Sequence, residues 1–214
     1  MKIFIAGDST AAPKLESKRP ETGWGECLFE FISPMYKIFN LAENGRSTKS
    51  FIDEGRLDII DAKIRKGDLL LIQFGHNDEK MDDPTRYTTL SQYTANLDRF
   101  ARVATSHKAI PVFITSITRR TFDGQTLSKD AIKDYPNAMI TYAQNYEYPL
   151  IDMYKISQEI VSIMGPEASK KYYLHLEPHV YKNYPDGLID DTHFSLEGAR
   201  QFASIIASHL MKMA

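Results

Sequence analysis

Short, unbroken apolar runs alternate along the chain with longer segments whose apolar residues recur every three to four positions. The runs are Ile3-Phe4-Ile5, Lys37-Ile38-Phe39, Asp68-Leu69-Leu70-Leu71-Ile72-Gln73-Phe74, Ile110-Pro111-Val112-Phe113-Ile114 and Leu150-Ile151-Asp152. Their length and polar boundaries predict five buried strands. Helices are predicted over Trp24 to Ile32, Phe51 to Ile64, Ser91 to His107, Ser128 to Asn145 and Met153 to Met164, where sets such as Leu97, Phe100, Ala101 and Ala104 share one face. A last helix starts after Ser195, a side chain suited to capping it, and carries Ala199, Phe202, Ala203, Ile206 and Leu210 as a single apolar stripe. Strands alternating with helices predict an α/β fold, a parallel five-stranded sheet covered on both faces.

The connections direct attention to one edge of that sheet. Thr10 to Thr22, Asn77 to Leu90 and Ser116 to Ser128 are longer than compact strand–helix loops. The first two begin where a strand ends, the place at which open α/β sheets hold ligands. Lys170 to Asp190 reads as a long, polar surface loop. Neither a repeat nor a low-complexity linker divides the chain, so residues 1–214 are expected to form a single domain.

Composition narrows the function classes. With 214 residues, 43% hydrophobic and 25% charged, the chain can bury a sizeable core. A formal charge of -2 supplies no field to attract nucleic acid or an anionic membrane, so neither is expected as a partner. Cys27 is the single cysteine, which excludes an internal disulfide and suits a reducing compartment. The chain opens on the strand-like Lys2 to Ala6 with no signal-peptide pattern, and no run approaches the ~18 apolar residues of a membrane span; a cytoplasmic location is the expectation. His175 and His179 are spaced as helical metal ligands, but Pro178 breaks a helix there and no third ligand is evident. Neither a phosphate loop nor a dinucleotide fingerprint occurs, and no metal or cofactor is expected.

Four polar blocks carry candidate chemistry. Gly7-Asp8-Ser9-Thr10 ends the first strand, where a tight turn can lift the Ser9 hydroxyl to the sheet edge. Asn40 to Ser47 follows the second strand, with Gly45 able to offer a bare backbone N–H. Phe74-Gly75-His76-Asn77-Asp78 ends the third, and the Asn77 amide can donate to a developing oxyanion. Asp190-Asp191-Thr192-His193 precedes the last helix; Asp190 can orient the His193 imidazole, with Asp191 as a competing partner. Each block alone is also ordinary turn chemistry.

Their order is the discriminating feature. Serine after strand one, glycine after strand two, asparagine after strand three and Asp-x-x-His before the last helix resembles the SGNH hydrolases, also called the GDSL esterase/lipase family. The resemblance implies a three-layer, flavodoxin-like α/β/α sandwich in which Ser9 is the nucleophile, His193 the base and Asp190 its orienting acid. It implies an oxyanion hole made by the Ser9 N–H, the Gly45 N–H and the Asn77 side chain. Gly23-Trp24-Gly25-Glu26, Asn44-Gly45-Arg46-Ser47, Glu54-Gly55-Arg56 and Gln73 to Asp78 look more narrowly like rhamnogalacturonan acetylesterases. The implied substrate is an oligosaccharide or small-molecule acetyl ester of a pectin-type sugar. Oligomeric state is left open.

His76, Arg46 and Tyr184 are the candidate substrate-binding residues, the arginine as a partner for a uronate carboxylate and the tyrosine as a wall for a sugar ring; the alternatives are hydrogen-bonded packing for His76, a structural ion pair with Glu54 or Asp53 for Arg46, and packing along the loop for Tyr184. Arg56 is expected in a structural ion pair, Trp24 behind the nucleophile turn and Cys27 in the core. Two other readings stand beside the acetylesterase: another esterase of the superfamily, such as a thioesterase or lysophospholipase, and a non-catalytic carbohydrate-binding protein. The first needs an extended apolar groove, whereas these blocks are rich in Asn, Asp, His and Arg.

Overall fold

The computed structural model describes residues 1–128, 132 and 134–213. In chain order the elements are β1 (Lys2–Gly7), α1 (Trp24–Cys27), β2 (Lys37–Asn40), α2 (Thr48–Asp53), α3 (Arg56–Lys63), β3 (Leu69–Gln73), α4 (Leu90–Ser106), β4 (Ile110–Ile114), β5 (Phe122–Asp123), β6 (Thr126–Leu127), α5 (Tyr135–Asn145), β7 (Leu150–Ile151), α6 (Met153–Ala168), β8 (Tyr173–Leu176), β9 (Leu188–Phe194) and α7 (Leu196–Met213). The five predicted strands pair in parallel in the order β2-β1-β3-β4-β7.

The two-residue alternation of β1 explains the layering. Ile3 and Ile5 point into one buried cluster with Trp24, Phe194 and Phe202, while Phe4 and Ala6 point into a second with Phe51, Phe74 and Phe100. Helices α1, α6 and α7 cover the first face and α2 to α5 the second, giving the expected three layers. On α7 the stripe Ala199, Phe202, Ala203, Ile206 and Leu210 is buried as the spacing predicts, and Ser195 Oγ accepts from the Gly198 N–H at 3.1 Å to cap the helix. Ser47 and Thr89 cap α2 and α4 in the same way.

Several boundaries differ from the sequence reading. Phe51 to Ile64 is two helices, because Gly55 takes φ 72° between them. Helix α6 runs past Met164 through a kink at Gly165-Pro166. The expected helix Ser128 to Asn145 starts only at Tyr135; of its first turns, residues 129–131 and 133 lie outside the described residues. The loop Ser116 to Ser128 contains the small β5–β6 ribbon.

Lys170 to Asp190 is not a plain surface loop. Tyr173–Leu176 pairs antiparallel with Leu188–Phe194; Tyr173 and Leu174 are buried, Tyr173 in the cluster on the α7 side of the sheet. The partners are separated by a polar excursion, so no local periodicity announces the pairing. This hairpin carries Asp190 and His193 to the carboxyl ends of β1 and β3, where the strand order reverses.

Candidate active site

The turn after β1 is held by its own polar groups. Asp8 is fully buried and accepts hydrogen bonds from the Thr10 N–H at 2.9 Å and the Thr10 hydroxyl at 2.7 Å. Its other carboxylate oxygen lies 3.3 Å from His76 Nδ1. Burial by itself would raise the Asp8 carboxyl; the His76 hydrogen bond and charge, with the Thr10 bonds, outweigh it and hold the group below its ordinary value. From behind, Trp24 donates through Nε1 to Gln73 at 3.2 Å and through its backbone N–H to Thr10 at 2.9 Å. Ser9 is thereby presented on a rigid turn, 8% exposed.

His193 reaches it from the opposite end of the chain. Its Nε2 is 2.9 Å from Ser9 Oγ, and its Nδ1 is 2.7 Å from Asp190 Oδ2. Asp190 Oδ1 also accepts from the backbone N–H groups of Thr192 at 2.8 Å and His193 at 3.0 Å. Burial alone would raise the Asp190 carboxyl, but the His193 ring and these amides reverse the effect and place it well below the usual carboxylate range. An ionised Asp190 accepts the Nδ1 proton, which leaves the Nε2 lone pair facing the serine hydroxyl. Asp191 points elsewhere: Arg120 and His175 both meet its Oδ1 at 2.6 Å. That cluster braces the hairpin and settles which acid partners His193.

Ser9, Gly45 and Asn77 line the same cavity. Neither the Ser9 N–H nor the Gly45 N–H makes a hydrogen bond among the described residues. Asn77 spends one amide hydrogen on the Arg46 carbonyl at 3.0 Å and keeps the second, while Arg86 donates to its Oδ1 at 3.4 Å. Gly45 sits at φ 75°, a left-handed conformation that side chains resist. At Gly75, φ 146° brings the backbone so close to Ser116 that an added Cβ would stand 2.5 Å from its hydroxyl, which explains the glycine ahead of His76-Asn77. Serine, histidine, aspartate and these donors line one cavity of about 410 Å³. The arrangement can activate a hydroxyl and stabilise an oxyanion. A comparably sized cavity of about 430 Å³ at the amino-terminal edge of the sheet, lined by Met1, Ile3, Leu69 and Ile110, is apolar and contains no such pair.

Residues 5–201 match the GDSL-like lipase/acylhydrolase family. The chain belongs to this family. It is a serine esterase. The rhamnogalacturonan acetylesterase RhgT of Bacillus subtilis is 38% identical over 213 residues, covering 100% of this chain and 90% of that protein. Among solved structures, YxiM of Bacillus subtilis superposes with a TM-score of 0.80 at 22% identity, over 99% of this chain and 56% of that longer one. An acetylxylan esterase from Geobacillus stearothermophilus gives 0.66 at 17% identity, over 99% and 92%. At these identities the two structures speak for the fold alone.

The candidate substrate-binding residues fare differently. His76 borders the cavity, but Nδ1 is engaged with Asp8 and Nε2 lies 3.0 Å from the Ile117 carbonyl. Its ring is a strut of the Ser9 turn. Arg46 does not line the cavity: Nε bonds Glu54 at 3.0 Å and Nη1 the Asn44 carbonyl at 2.7 Å. Tyr184 also lies off the cavity wall, its hydroxyl donating to the Lys18 carbonyl at 3.2 Å. Arg56 is in the expected structural pairing, with Glu43 and Glu54. Cys27 is buried, and burial pushes its thiol up to about 11.

The wall holds cations that sequence reading missed: Lys18, Lys80, Arg86 and Arg119. Arg86 pairs with Asp83 and Arg119 with Glu79, both at 2.5 Å. Lys80 has no ion pair among the described residues; burial, then Arg86 and Arg119, lower its ammonium. Its position after Gly-His-Asn-Asp was the one signal available. Among the described residues no cluster of His, Cys, Asp and Glu could hold a metal ion, and no helix is long and apolar enough to cross a membrane.

Proposed function

We propose that this chain is a carbohydrate O-acetylesterase that removes acetyl groups from pectin-derived, rhamnogalacturonan-type oligosaccharides by a Ser-His-Asp mechanism. The observation that carries the reading is the 2.9 Å and 2.7 Å relay from Ser9 through His193 to Asp190, set against three unspent hydrogen-bond donors. His193 Nε2 takes the Ser9 proton as Oγ attacks the acetyl carbonyl. The Ser9 and Gly45 N–H groups and the free Asn77 amide hydrogen hold the oxyanion, and the imidazolium returns its proton to the departing sugar oxygen. Water, deprotonated by the same imidazole, then attacks the acetyl-enzyme; acetate leaves and Ser9 regains its proton.

The choice of sugar rests on two supports: 38% identity to a protein named a rhamnogalacturonan acetylesterase, and the cationic wall. Lys18 and Lys80, which have no ion pair among the described residues, gain most from a substrate carboxylate beside the ester, the feature that distinguishes uronate-bearing pectin fragments from neutral xylan. The polar lining disfavours a long acyl chain. The deciding experiment is acetate release from acetylated rhamnogalacturonan oligosaccharides beside acetylated xylo-oligosaccharides. Higher kcat/KM on the former is expected; equal or reversed preference defeats the assignment of the sugar.

A further inference from the structure

Lys14 lies in the loop between β1 and α1, outside all four sequence blocks. Its side chain is 0% exposed, and an ammonium has three hydrogens to donate. All three are engaged: the Ser9 carbonyl at 2.5 Å, Asn44 Oδ1 at 2.5 Å and Glu21 Oε1 at 2.7 Å. None is left for substrate.

The acceptors belong to three separate pieces of the site. One is the residue that bears the hydroxyl, the next immediately precedes Gly45, and the third lies on the cavity wall. Ser9 and Gly45 sit on loops leaving neighbouring strands, β1 and β2, and their two N–H groups can serve one oxyanion only if those loops keep a fixed separation. Arg46 grips Asn44 from the other side through its carbonyl, so Asn44 is clamped at both ends. Stability alone is a poor account of such a lysine. A buried ion pair recovers little beyond its desolvation cost, and an apolar side chain of similar volume commonly does as well.

We propose that Lys14 is a positioning residue that ties the Ser9 turn to the Asn44-Gly45 loop and so sets the geometry of the oxyanion hole, with Glu21 as its counter-charge. The proposal rests on the roles assigned above to Ser9 and Gly45, and is independent of the sugar.

The test uses an aryl acetate and methylboronic acid, which forms a tetrahedral adduct on an active serine and so reports the hole without turnover. Lys14→Met, and Lys14→Met with Glu21→Gln to avoid a stranded carboxylate, are expected to lower kcat about 10–100-fold with KM within about threefold. Boronate affinity should fall by a similar factor. Asn44→Ala should have a comparable effect, and Lys14→Met added to it should cost less than about threefold more, since both cut the same tie. Wild-type kcat and boronate affinity in the double variant overturn the proposal, as do fully additive losses from Lys14 and Asn44. Should the Lys14 variants fail to fold, Asn44→Ala decides by the same criterion. Ser9→Ala hydrolysing at the wild-type rate would overturn the assignment of Ser9 and this proposal together; the Lys14 and Asn44 results alone leave the former standing.

Discussion

Asp190 grips His193 twice, its Oδ2 meeting the ring Nδ1 at 2.7 Å and its Oδ1 accepting the backbone N–H at 3.0 Å. One carboxylate therefore sets both the tautomer of the imidazole and the position of its backbone. Asp190→Asn should lower kcat on an aryl acetate by about 10³–10⁴-fold with little change in KM, because an amide stabilises the wrong tautomer. Asp191→Asn is the internal control: it removes the charge that Arg120 and His175 share and should lower the melting temperature more than kcat. Equal kcat losses in the two variants would contradict this division of labour.

Asn77→Ala removes one of the proposed oxyanion donors and should reduce kcat about 10²–10³-fold. Binding of the ground-state ester should barely change. A variant with near-wild-type kcat would show that the Asn77 amide does not face the oxyanion.

Gly45→Ala places a Cβ on a φ of 75° and 3.4 Å from an Arg86 nitrogen. A destabilisation of roughly 1 kcal/mol is expected, read by denaturant unfolding, together with a fall in kcat as the N–H shifts. An unaltered midpoint and unaltered turnover would argue against strain at this site.

Asp78, fully buried, accepts from the Thr48 N–H at 3.1 Å and the Thr88 hydroxyl at 3.0 Å, yet burial outweighs these bonds and, with the nearby Asp8 charge, pushes its carboxyl up to about 7. Between about pH 4 and pH 7 the folded protein thus binds a proton that the unfolded chain has released. The stability this group contributes is full below about pH 4 and lost as pH rises through 7. Melting temperatures of wild type and Asp78→Asn should therefore diverge, the variant gaining on wild type between pH 5 and pH 8. Parallel pH profiles would sink this account.

Phe202 is buried among Phe194, at 4.9 Å between ring centroids, and Tyr172. Phe202→Ala should cost about 3–5 kcal/mol and lower the melting temperature by roughly 10 °C or more. Because Phe194 adjoins His193, residual activity should fall more steeply with temperature than in wild type. A melting shift of only a degree or two would mean that the α7 seam collapses around the cavity.

By itself the sequence determined the five strands of the parallel sheet, the layering and the candidate reactive side chains. Those features are written locally: a two-residue period buries alternate faces of β1, a 3.6-residue period marks α7, and Ser9, Gly45, Asn77 and His193 each follow or precede a recognisable element. Tertiary structure alone decided the partnerships. Arg46 suits either a substrate carboxylate or an ion pair with Glu54 or Asp53, and it is Glu54 that meets it; spacing alone does not exclude Asp191 as the partner of His193, and the pleat of β9 sends Asp190 and Asp191 to different partners. The β8–β9 pairing and the three contacts of Lys14 left no periodic trace. Charge pairing and strand pairing depend on which distant segments the folded core brings within about 3 Å, and a pattern read along the chain records what a residue is and not what it will face.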